Sequence, residues 1–145
     1  MRKVLLGLLV GLILIQFISP ERNDSEDWSN DYTTAMQVPK EVKEIIKTSC
    51  ADCHSNKTEY PWYSNIAPVS WYIANHVNDG KEHLNFSEWT AYNKDQKDHI
   101  IKDLEEELEE QNMPLKSYLL IHKDAKLTQD QYNILLVWVK SLKME

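Results

Sequence analysis

The sequence predicts an all-α domain. Three observations predict it: apolar residues recur at helical spacing in several stretches after Pro39, no alternating strand pattern of any length occurs, and prolines and capping residues fall where such helices would begin and end. With 145 residues, 42% apolar and 27% charged, the chain can fill one core and is too short for two domains. Its formal net charge is −7 and no basic stripe is visible, which excludes nucleic acid as a partner, since neutralising phosphates takes clustered Lys and Arg.

The first element is an apolar run from Val4 to Ile18, broken only by Gln16 and preceded by Arg2 and Lys3. A basic start followed by such a run is an export signal. Phe17, Ile18, Ser19 and Pro20 are poor cleavage residues, so residues 1–19 are expected to stay as an uncleaved signal anchor rather than leave as a signal peptide. A helix from Val4 to Ser19 would be about 24 Å long. That is short of a hydrocarbon core of roughly 30 Å, unless bilayer thinning or flanking residues make up the difference. The basic end stays in the cytoplasm and the rest is exported, at the cell membrane on the periplasmic or extracytoplasmic side. Residues 20–38 read as an acidic tether: Glu21, Asp24, Glu26, Asp27 and Asp31 stand against Arg22 alone, with no helical period.

Residues 39–145 are then the folded domain. Pro39 to Thr48 is a short amphipathic helix with Val42, Ile45 and Ile46 on one face, and proline suits its first turn. Ser55 to Pro68 reads as loop. Val69 to Asn78 is helical with Trp71, Ala74 and Val77 together, and Gly80 ends it. Asn85 or Ser87 caps a short helix carrying Trp89 and Tyr92. Asp95 to Gln111 is a longer helix through Ile100, Ile101, Leu104 and Leu108, broken by Met113-Pro114. A loop reaches Leu127. Thr128 caps the last helix, with Ile134, Leu135, Trp138 and Leu142 as its apolar positions.

The chemistry is concentrated in Cys50-Ala51-Asp52-Cys53-His54. C-x-x-C-H is the attachment signature of c-type haem. Two thiols three residues apart, just past a helix, can reach the two vinyl groups on one porphyrin edge and form thioethers. His54 then offers an imidazole nitrogen to the iron as proximal ligand. A dithiol redox pair would want a βαβ context, and a zinc site would want a second ligand pair; neither is present. Export agrees with haem c, which is attached outside the cytoplasm.

For the sixth ligand, Met1 lies in the export segment, Met36 in the tether and Met144 at the chain end. Met113, before Pro114 and ahead of the last helix, is the expected distal ligand; a thioether favours reduced iron. His76 on the middle helix is the alternative, and His83, His99 and His122 are weaker candidates. Pro61, Trp62, Tyr63, Trp71 and Trp89 are expected to wall the macrocycle. Asp103, Glu105, Glu106, Glu107, Glu109 and Glu110 form an acidic run, read first as a solvated face and second as a dock for a basic redox partner.

Longer blocks add to the motif. Cys50 to Asn56, Pro61-Trp62-Tyr63, Ile66 to Trp71, His76-Val77-Asn78, Gly80, Asn85 to Trp89 and Met113 to Tyr118 follow one another in an order that resembles the small bacterial haem-binding domain family, a cytochrome c-like group. The likeness runs from about Pro39 to Leu142. The helix–CxxCH–Met-Pro–helix order is also similar to class I cytochromes c, whose first and last helices pack together. The resemblance implies one covalent haem on Cys50 and Cys53 with His54 proximal. One departure stands out: the family often has arginine after the glycine, where this chain has Lys81; if that arginine pairs with a haem propionate, Lys81 supplies the charge but not the two-pronged geometry. The expectation is a membrane-tethered monohaem cytochrome c passing single electrons between protein partners, without an enzymatic step. The alternative is a haem-based sensor or peroxide- or gas-reactive protein with a displaceable sixth ligand.

Overall fold

In the computed structural model, which describes residues 1–143, every regular element is a helix or helical turn. The single β pairing among the described residues is an isolated antiparallel bridge between Asp24 and Lys57. Met144, set aside above as a ligand, lies outside the described residues.

Three helices supply most of the core. α3 (Lys40–Ser49) starts at Pro39 and buries Val42, Ile45 and Ile46, the stripe its spacing predicts. α6 (Lys94–Glu109) starts with a capping box between Asn93 and Gln96 and buries Ile100, Ile101 and Leu108. α8 (Gln129–Leu142) starts with a second capping box, Thr128 with Gln131, and buries Tyr132, Leu135, Trp138 and Val139. α8 lies along α6 and also touches α3, so the first and last helices of residues 39–143 do meet. Lys140 reaches Glu105 at 3.5 Å and Glu109 at 2.9 Å, and Lys143 also pairs with Glu105, so part of the acidic run holds α6 to α8.

α5 (Val69–His83) continues past Gly80 instead of ending there. The short helix after it is a 3-10 turn, Phe86–Ala91, capped by the Asn85 side chain accepting from Ser87 N–H. The stretch expected as loop up to Leu127 contains α7 (Lys116–Leu119) and a turn at Lys123–Ala125.

Residues 20–38 are not a loose tether. They wrap the domain as a belt. Asn23 donates to the Ser55 carbonyl at 2.8 Å and to Thr58 Oγ1 at 2.9 Å, and accepts from Lys81 Nζ at 2.5 Å. Within the belt, α2 (Tyr32–Ala35) is capped by the buried Asp31, and Tyr32 and Val38 enter the core. The acids that made the segment look unfoldable are spent locally: Glu26 pairs with Lys57, and Asp27 and Asp31 accept from backbone N–H groups nearby.

α1 (Arg2–Ile15) is shorter than the apolar run, and none of its residues is buried. No helix among the described residues is long and apolar enough to cross a membrane.

Candidate functional site

The Cys-x-x-Cys-His segment is one tight turn at the end of α3. Cys50 N–H still bonds Ile46 O at 2.9 Å, and Cys50 O accepts from Cys53 N–H at 3.2 Å and His54 N–H at 3.0 Å. α4 (Ala51–His54) is that turn. Ser55 Oγ closes it by donating to Ala51 O at 2.7 Å. α5 packs directly on α4. A Cβ at Gly80 would stand 2.7 Å from the Cys53 carbonyl oxygen and 3.1 Å from Cys53 Cβ. Glycine is therefore in mid-helix because the helix backbone must touch the motif.

The turn forms part of the wall of a cavity of about 580 Å³, within the range of small-molecule and cofactor sites. Cys50, Cys53, His54, His76, His83 and Met113 all line it. Ile46, Leu84, Phe86, Leu104, Leu108, Leu127, Leu135 and Trp138 supply most of the apolar lining. The five residues singled out for the iron and its attachment, scattered from Cys50 to Met113, thus share one space.

His54 is fixed by its other nitrogen. Nδ1 lies 3.0 Å from the Leu84 carbonyl oxygen, which can only accept, so Nδ1 carries the proton and Nε2 keeps its lone pair. Burial holds its pKa below the usual histidine value, against the pull of the Leu84 and Gly80 carbonyls, so the ring is neutral and able to ligate. Burial pushes the Cys50 thiol up to about 12 and the Cys53 thiol to about 11. Both are free. Such cysteines are protonated at neutral pH and make poor thiol–disulfide catalysts, whose chemistry needs a thiolate. Among the described residues no group of three or more His, Cys, Asp or Glu is arranged to hold a metal ion.

Asp52, between the cysteines, is anchored from the far side of the chain: Tyr118 Oη donates to its Oδ2 at 2.7 Å and Glu59 N–H to its Oδ1 at 3.0 Å. This ties α7 to the motif. The loop carrying Met113 is held by Tyr132 Oη donating to the Met113 carbonyl at 2.8 Å. His76 Nδ1 lies 3.0 Å from Tyr72 O, and its ring packs on Tyr72.

Other expectations need correction. None of Pro61, Trp62, Tyr63, Trp71 and Trp89 lines the main cavity. Trp89 is buried in the helical core, Trp62 is 76% exposed, and Pro61 and Tyr63 line a smaller neighbouring cavity of about 180 Å³. Phe86, Tyr118 and Trp138 are the aromatic lining instead. Lys81 does not line the cavity either; it secures the belt through Asn23. His99, exposed on α6, pairs with Asp103, and His122 bonds Tyr63 at 2.8 Å. Sequence reasoning missed the Leu84 carbonyl, which no side chain announces. It also missed the contact role of Gly80, which a helix continuing on both sides could have signalled.

A helical domain that gathers a Cys-x-x-Cys-His turn, a neutral half-fixed imidazole and an apolar cavity of this size defines a haem-binding helical protein. The model of the haem-binding domain family matches residues 10–141, and the chain belongs to that family. The match begins within α1 and takes in the belt, beyond the Pro39 start read from the sequence. Neither a curated protein nor a solved structure matches the chain.

Proposed function

We propose that this haem-binding domain is a monohaem c-type cytochrome, tethered to the cell membrane by its N-terminal segment with the domain on the extracytoplasmic side, and that it carries single electrons between protein partners. The observation that carries the reading is the sharing of one apolar cavity by Cys50, Cys53 and His54, with His54 held through Nδ1 by Leu84 O. Cys50 and Cys53 would hold the macrocycle through thioethers, and His54 would give Nε2 to the iron. Bound, the group supplies one-electron iron chemistry. The chain's own part is to attach it, keep the proximal imidazole neutral and oriented, and surround the site with apolar side chains that tune potential by excluding water. Met113 is the distal ligand proposed here, on a half-buried loop that Tyr132 secures; His76 is the alternative donor in the same cavity.

A second reading rests on that loop position. Met113 belongs to no helix, so its side chain could swing away and leave a position for a small molecule, as in a sensor or a peroxide-reactive protein. The test is a reduced-minus-oxidised spectrum of the full chain made in a host that matures c-type cytochromes, with and without carbon monoxide, beside its intact mass. A mass increased by one haem and a six-coordinate low-spin spectrum indifferent to carbon monoxide is the expected result. Rapid carbon monoxide binding by a high-spin ferrous form supports the second reading. Colourless protein at the bare polypeptide mass removes both.

A further inference from the structure

The apolar N-terminal helix does not leave the domain through a free linker. Gln16, the one polar residue of the run, accepts from Ala67 N–H at 2.9 Å and donates to Ala67 O at 3.1 Å, as a neighbouring strand would. Trp71 Nε1 then donates to Ile18 O at 2.7 Å. The root of the helix is therefore bound to the start of α5.

Around that root lies an apolar face that the core does not explain. Trp62 and Leu120 are each 76% exposed, and Ile66, Val69, Tyr72 and Ile121 are exposed as well. They form one area. Val69 and Tyr72 are one turn apart on α5, next to Ala67, and Ile66 precedes it. The two ends are joined by Tyr63 Oη and His122 Nε2 at 2.8 Å, and Tyr63, Val69, Tyr72 and Ile121 line the same small cavity. Soluble proteins rarely leave a continuous apolar face of this kind uncovered.

The occupant follows from continuity and length. α1 has 14 residues, about 21 Å of helix, well short of a hydrocarbon core of roughly 30 Å. Its apolar run continues through the exposed Phe17 and Ile18 to the start of α5, where Gln16 and Ile18 are bonded to Ala67 and Trp71, chain neighbours of Ile66, Val69 and Tyr72. Tryptophan and tyrosine are the side chains enriched where hydrocarbon meets headgroup. Arg22, where the chain moves on, bonds Asn65 Oδ1 at 2.9 Å next to Ile66 and stacks over Tyr60, which puts a cation near these residues.

We infer that the face formed by Trp62, Ile66, Val69, Tyr72, Leu120 and Ile121 rests in the bilayer interface, so that the domain is seated on the lipid surface in a fixed orientation rather than suspended above it. The inference rests on the membrane-tether reading and adds a second lipid contact to it. The short helix is then completed by the domain, whose interfacial aromatics take up the missing depth.

The haem-loaded full chain is reconstituted in phosphatidylcholine vesicles containing phosphatidylcholine with an acyl-chain diazirine near the headgroup. After irradiation, lipid adducts are mapped by mass spectrometry. The expected result is adducts in residues 4–18 and in peptides spanning Trp62–Tyr72 and Leu120–Ile121, enriched several-fold over peptides from α6. Adducts confined to residues 4–18 overturn the seating while leaving the tether intact, whether the face is covered by a second copy or faces water. Absence of adducts from residues 4–18 overturns the tether reading, and the seating with it.

Discussion

Met113 and His76, the two donors proposed for the sixth position, line the same cavity in different settings. The Met113 thioether stands on a loop whose backbone Tyr132 fixes. His76 Nδ1 is engaged by Tyr72 O within its own helix, leaving Nε2 as its one available ligand atom. Replacing Met113 by Ala should abolish an iron–sulfur charge-transfer band in the ferric spectrum and lower the potential, because a thioether favours reduced iron. His76→Ala should leave the band in place. The opposite pattern, with the band absent in wild type and the low-spin state lost in His76→Ala, reassigns the ligand. At this scale the residues that share the cavity were legible, because Cys, His and Met stand out in a sequence by their chemistry. The orientation of His54 was not, since it depends on a backbone carbonyl at Leu84 that any residue could supply.

At the scale of elements, the contact of α5 with the motif turn hinges on Gly80. A methyl group there would press on backbone, which cannot swing aside as a side-chain tip can. Gly80→Ala should therefore destabilise the fold by about 1–3 kcal/mol, despite alanine's better helix propensity. Urea unfolding of the haem-loaded protein reads this directly, and an unchanged or raised midpoint contradicts the close packing. Glycine read as a stop signal because local propensity is all that a single sequence displays; here a tertiary contact decides. The belt was misread for a related reason. Its two core residues, Tyr32 and Val38, are too sparse to make a period, and its attachment runs through Asn23. Asn23→Ala leaves Ser55 O, Thr58 and Lys81 without their partner and should cost about 1–3 kcal/mol. The accompanying sign is faster proteolysis within residues 20–38. The α6–α8 seam adds a pH dependence. Hydrogen bonding to Lys143, with Lys140 nearby, holds the Glu105 carboxyl below its ordinary 4.5. The unfolded chain then binds that proton more readily than the folded one. The stabilisation is complete above about 4.5 and is lost as pH falls through the lower, folded-state value. Glu105→Gln should flatten the acid limb of the stability profile below that pH, and added salt should shrink the difference, because the pair is exposed to solvent.

For the molecule as a whole, the distribution of charge says more than the total of −7. The acidic run of α6 divides in two. Glu105 and Glu109 pair with Lys140 and Lys143 at the end of α8, while Glu106 and Glu107 line the cavity with Asp52, Asp79 and the His99-paired Asp103. The sequence showed the run but not this division, which depends on how α6 is rotated against α8. No Lys or Arg among the described residues lines the cavity. If the haem sits there as proposed, electrons enter and leave through a negatively charged surround, which concentrates cations and repels anions. Small redox mediators of opposite charge test this without knowledge of the natural partner. In stopped-flow at low ionic strength, a cationic metal complex should exchange electrons with the protein at least tenfold faster than an anionic complex of matched potential. The ratio should fall toward unity as the Debye length contracts from about 30 Å at 0.01 M salt to about 3 Å at 1 M. Neutralising Glu106 and Glu107 together to Gln should reduce the ratio at low salt. A ratio near unity at low salt, or one favouring the anion, would place the electron path away from this face and with it the dock for a basic partner.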